Sequence, residues 1–138
     1  MVIGPTCVFA VETETRTKIK SIAGDTQYKA VFDSKSLKIA QRVEDAALEQ
    51  ARRQAQWLAR SLKKSLGEPV RVRPALALPG WYVDLKAKSD VVIFSPRQAD
   101  MTFPSMRESD QLDIQQIHRI SAQIESACRD IKPRTALL

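Results

Sequence analysis

The sequence predicts a mixed α/β domain in which short strands, one long helix, further strands and a closing helix follow each other. Three observations carry this expectation. Residues 43–66 place Leu48, Ala51, Ala55, Leu58, Leu62 and Leu66 at helical intervals on one stripe. Residues 8–16 and 70–78 begin or end as β-branched, aromatic or alternating runs, as strands do. Ile114, Ile117, Ile120, Ser121, Ile124 and Cys128 repeat the helical spacing over residues 110–131.

Each element has its own local reason. Val2 and Ile3 precede Gly4-Pro5-Thr6, which reads as a strand end and a tight turn into the next strand. Because a domain seldom starts inside a hairpin, residues 1–132 are expected to form a single domain lacking its N-terminal part. In residues 8–16 the alternation sorts Phe9, Val11, Thr13 and Thr15 to one face and Val8, Ala10, Glu12, Glu14 and Arg16 to the other. Two carboxylates and a guanidinium thus follow one another along a strand that starts as core. Such an arrangement suits a site on a rigid element, and equally a strand end running into solvent. Residues 16–24 are basic and irregular, with Arg16, Lys18 and Lys20. Residues 28–33 and 36–39 predict a hairpin across Asp33-Ser34-Lys35. The long helix ends where Gly67 offers a cap and Pro69 a stop, after roughly 35 Å. Pro79-Gly80 ends the strand at 70–78, and residues 81–83 and 91–94 predict two more strands, separated by the charged turn 86–90. Residues 97–110 predict a loop, and the tail 133–138 is expected to be loose.

Composition sets outer bounds. At 138 residues, 43% hydrophobic and 28% charged, the chain is an ordinary globular length and mixture with no repeat. Lys and Arg outnumber Asp and Glu by 22 to 16, and the pI near 9.6 suits a polyanionic partner, nucleic acid before an anionic membrane. Cys7 and Cys128 lie far apart without zinc-ligand spacing, which predicts reduced thiols in a cytoplasmic setting. No apolar run reaches the roughly 18 residues of a membrane span, and the N-terminus lacks a secretory pattern. There is no GxSxG elbow and no Gly-rich phosphate loop. His118, the single histidine, has no ligand pattern around it and reads as structural. Trp57 and Trp81 read as core or domain-edge packing, and Asp84 and Asp90 as turn residues.

Four blocks resemble a known family. VIGPTCVFAVET at 2–13 is similar to the "VVIGPTGVFVIET" hairpin of the nuclease-related domain, NERD. EQARRQAQWL at 49–58 resembles its "QAxxQAxxL" helix, PALALPGWYV at 74–83 its "PVLVFPGWFV" strand and turn, and residues 91–96 its "VxVxNP" strand. The blocks stand in the family's order. The resemblance implies the PD-(D/E)xK superfamily: a restriction-endonuclease-like core with a central mixed sheet flanked by the two helices. It also implies Mg²⁺- or Mn²⁺-dependent phosphodiester hydrolysis of DNA, more than RNA, with no small-molecule cofactor. Some family members carry membrane helices beside the domain, so a membrane link would come through regions outside this chain.

By the same resemblance, Glu12 is the metal-binding carboxylate and Gln50 the glutamine that faces the site, with Gln54 one turn on as a weaker candidate. Two departures stand out. Glu14 holds the position of the family's lysine, which reverses a charge about 6–7 Å from Glu12 along the strand. It either joins Glu12 as a metal ligand or marks a decayed site. The family's aspartate would precede Met1. Catalysis is therefore expected to be impaired, with Arg16, Lys18 or Arg53 as substitutes for the lost cation and Arg16, Lys18, Lys20 and Arg53 as nucleic-acid contacts. The alternative is a non-catalytic nucleic-acid-binding or partner-binding module on the same fold.

Overall fold

A computed structural model of the chain describes residues 1–4, 7–15, 29–40, 42–102 and 112–129. Arg16, Lys18, Lys20, the later part of the expected 97–110 loop, the ends of the expected closing helix, the side chain of Cys128 and the 133–138 tail lie outside the described residues.

The central sheet is mixed. Strand β1 (Val2–Ile3) pairs antiparallel with β2 (Val8–Thr13), and the Gly4 N–H donates to the Cys7 carbonyl at 2.9 Å in the turn between them. Strand β2 then pairs parallel with a strand far along the chain, Val72–Ala77, and that strand pairs parallel with Val92–Phe94. Between the two halves of the parallel pair the chain forms β3 (Lys29–Phe32), β4 (Leu37–Ile39), β5 (Arg42–Val43) and helix α1 (Asp45–Leu66). The strands after α1 are β6 (Val72–Ala77), β7 (Tyr82–Leu85) and β8 (Val92–Phe94). The central sheet has the order β1-β2-β6-β8.

A second mixed sheet, in the order β5-β4-β3-β7, stands beside the central one. It starts from the expected hairpin: β3 and β4 pair antiparallel, with Phe32 opposite Leu37. The Asp33 carboxylate accepts the Lys35 and Ser36 N–H groups, which fixes the turn and holds its carboxyl below the ordinary value. Strand β7 joins parallel to β3 because the Pro79-Gly80 turn, with Gly80 at φ 80°, redirects the chain out of the central sheet.

Helix α1 runs against the direction of β2 and β6. Its first turns place Ala47, Leu48 and Ala51 with Leu76 and Leu78 at the end of β6. Its last turns place Leu62 with Val8 and Val70, where β2 and β6 begin. The predicted stripe is the buried one, with Leu58 and Leu66 half-buried at its margin. Asp45 ties the helix start to β4 by accepting the Leu37 N–H at 2.9 Å. Gly67 closes the other end at φ 75°, its N–H donating to the Lys63 carbonyl.

The last helix (Ile114–Arg129) packs Ile120 against Val8, Leu62 and Val70, so both long helices cover the same face. The opposite face collects Phe9, Ala75, Ala77, Val92 and Phe94, with Ala99 beside them. Residues 96–102, expected as loop, form a 3₁₀ turn (Pro96–Gln98) and a short helix α2 (Ala99–Thr102), which makes the Ile114–Arg129 helix α3. Pro96 at the first position and Ala99 as an apolar anchor explain that turn.

Two stability outcomes follow. Phe9→Ala removes a fully buried ring and should cost about 3–5 kcal/mol in urea unfolding. A Cβ at Gly67 meets nothing within 4 Å, so Gly67→Ala should cost only the left-handed backbone strain, about 1 kcal/mol, with an unchanged denaturant slope.

Candidate functional site

The carboxyl ends of β2 and β6 and the first half of α1 meet at one end of the central sheet, since α1 lies antiparallel to the strands. Open α/β sheets bind ligands at this end. Glu12 stands opposite Leu76 in the parallel register, and Leu76 packs with Ala47, Leu48 and Ala51 of α1. Glu12 is therefore on the helix-covered face of β2. It is half-buried, Thr13 is exposed, and Glu14 is half-buried again. The strand ends at Thr13, yet the Glu14 N–H still donates to the Ala77 carbonyl at 3.0 Å, so the extended geometry carries through Glu14. The alternation read from the sequence thus survives to the second carboxylate, about 6–7 Å from the first.

Around α1 successive residues turn by about 100°. Arg52 marks one flank: its guanidinium donates to both carboxylate oxygens of Asp90, at 2.6 and 2.9 Å, just ahead of β8. Gln50 and Gln54 fall on the other flank, which is the β2 side because β2 and β8 lie on opposite sides of β6. Gln50 is exposed and Gln54 half-buried. Two separate elements thus bring Glu12 and the glutamines to the same end of the fold. Arg53 sits on the exposed outer side of α1, away from the sheet, and is not brought to Glu12.

Glu12 and Glu14 are hard oxygen donors of the kind Mg²⁺ takes. Among the described residues, however, no three His, Cys, Asp or Glu side chains gather into a group that could hold a metal ion.

Several residues stand differently from their sequence reading. Asp84 lies inside β7, opposite Val31, and is no turn residue. Asp90 does sit in the turn before β8, but its carboxylate is engaged by Arg52, which lowers its pKa and raises that of the guanidinium. Only the fold shows this pair, because 38 residues separate its partners. Trp81 is buried in the core as expected, while Trp57 is 59% exposed on the Gln50 side of α1. His118 is exposed on α3. Among the described residues no helix is long and apolar enough to cross a membrane.

Residues 1–79 match the family model of the nuclease-related domain, which is more than half of the chain. The chain belongs to the nuclease-related domain family. The matched stretch runs from β1 to just past β6 and so contains the whole parallel pair, α1, Glu12, Glu14 and Gln50. Comparison with curated proteins and with solved structures gave no match. Nuclease-related membership implies dealings with nucleic acid in general and metal dependence in general.

The Arg52–Asp90 pair makes its own prediction for this NERD domain. Both side chains are partly exposed, so Asp90→Asn should cost about 0.5–1 kcal/mol near neutral pH. Because the folded-state pKa of Asp90 is depressed, its contribution is present above the unfolded carboxylate value and lost as pH falls through the folded one. Stability curves of the two proteins measured by urea unfolding should therefore converge below about pH 4.

Proposed function

We propose that this nuclease-related domain, taken as a single unit over residues 1–132, engages DNA in the cytoplasm and that its metal-dependent hydrolysis is impaired. The observation that carries the reading is Glu14, in line with Glu12 on the helix-covered face of β2. Glu12 supplies a ligand for Mg²⁺ or Mn²⁺, and Gln50 on α1 supports the site from the β2 side. A lysine at position 14 would meet the phosphate that a metal polarises; a carboxylate there adds a second negative charge instead. Like charges at this separation attract a cation and repel the phosphodiester. Arg16, Lys18, Lys20 and Arg53 supply contacts to the nucleic-acid backbone.

Binding without cleavage is the second reading, and the excess of 22 basic over 16 acidic residues favours it. It requires no metal and predicts affinity that falls steeply with salt.

Plasmid nicking with Mn²⁺ or Mg²⁺ separates the two. The wild-type chain should nick at or near background, and Glu14→Lys should raise nicking by about 10²-fold, the scale on which one positioned charge stabilises a transition state. Adding Glu12→Ala should return the Glu14→Lys variant to background. Silence of Glu14→Lys, with retained salt-sensitive binding, would select the binding-only module.

A further inference from the structure

A groove lies between β7 and β8, the strands that form an edge of each sheet. Its larger part, a cavity of about 780 Å³, is floored by apolar residues including Val92 and Phe94 and rimmed by Arg73, Lys86 and Lys88. Its smaller part, about 340 Å³, is lined by Tyr82, Arg97 and Ser95. The two parts share Val83 and Gln98, so they adjoin. No carboxylate of the described residues lines either part. Tyr82 is 62% exposed at the mouth, and Lys86, Lys88 and Arg97 are exposed along the rim.

We propose that this groove binds single-stranded nucleic acid, with Lys86, Lys88 and Arg97 following the phosphates and the Tyr82 ring stacking on an unpaired base. The proposal rests on the nucleic-acid reading above and gives it a surface whose lining includes none of Glu12, Glu14 and Arg53. A row of cations beside an exposed aromatic ring is the combination that holds single strands. A duplex keeps its base faces stacked inside and leaves the ring without a partner. An acidic polypeptide would use the cations and gain little from the ring. Apart from Arg73, the groove residues follow the 1–79 stretch that matches the family model.

The test is fluorescence anisotropy with the full chain and a labelled oligothymidylate of about 15 nucleotides, near the largest site size for such channels. Lys86→Glu with Lys88→Glu should weaken binding at least about tenfold and flatten the salt slope by about 1.4, two phosphate contacts at roughly 0.7 each. Tyr82→Ala should weaken it about fivefold or more while leaving the salt slope unchanged. Arg60→Glu with Lys64→Glu, an equal change of charge on the exposed side of α1, should stay within about twofold. Equal losses in both double variants would reduce the effect to net charge and overturn the groove. Binding lost in Arg53→Glu and kept in the groove variants would also overturn it while the nucleic-acid reading stood. Polyglutamate competing as well as oligothymidylate, with Tyr82→Ala silent, would overturn it in favour of a general polyanion site. A wild-type chain that binds no oligonucleotide at low salt would overturn both readings together.

Discussion

The parallel pairing of β2 with β6 under helix α1 is the constraint on which the rest depends. Parallel strands cannot be joined by a tight turn, so the chain between them must cross over, and the long helix is that crossing. Leu76 and Leu78 meet the start of the helix while Val8 and Val70 meet its end, which leaves one polarity for α1. That polarity sends Gln50 and Gln54 to the end of the sheet where Glu12 and Glu14 emerge. The second sheet obeys the same constraint, since β3, β4 and β5 are built from the crossover itself and β7 returns beside β3.

Electrostatics then decide what the shared end can do. Glu12 is carried on a strand whose neighbours are apolar, and Glu14 follows on the same face. Among the described residues of this strand, 8–15, there is no cation. Positive charge is instead distributed over the outer side of α1 and the rim of the β7–β8 groove, where no carboxylate of the described residues opposes it. Arg52, the cation on the inner flank of α1, is committed to Asp90 and holds the helix to the segment leading into β8. Glu12 and Glu14 thus stand at the carboxyl end of β2, while Lys86, Lys88 and Arg97 line the β7–β8 groove, with no carboxylate in its described lining.

Legibility in the sequence varied with the range of the interaction. The α1 stripe, its glycine cap and the Asp33 hairpin turn were readable because each is fixed by residues a few positions apart. The strands at 72–77, 82–85 and 92–94 were readable by the same token. The division into two sheets was not, because strand partners are chosen by packing across the whole chain. Asp84 reads as a turn residue because it borders the charged turn at 86–90; pairing with β3 places it inside a strand instead. Of the two tryptophans, for which the sequence allows core or domain-edge packing, Trp57 is 59% exposed on the helix flank and so is no core residue.

By itself the sequence determined the family, the order of the two long helices and the main strands, and the succession of Glu12 and Glu14 on one strand face, since a period of two needs no partner to be read. The tertiary structure alone decided that α1 lies antiparallel over β2 and β6, that Arg52 reaches across to Asp90, and that Tyr82, Lys86, Lys88 and Arg97 share one groove. These are contacts between residues distant in the chain. Local spacing carries no information about them, and only the burial of the apolar faces selects them.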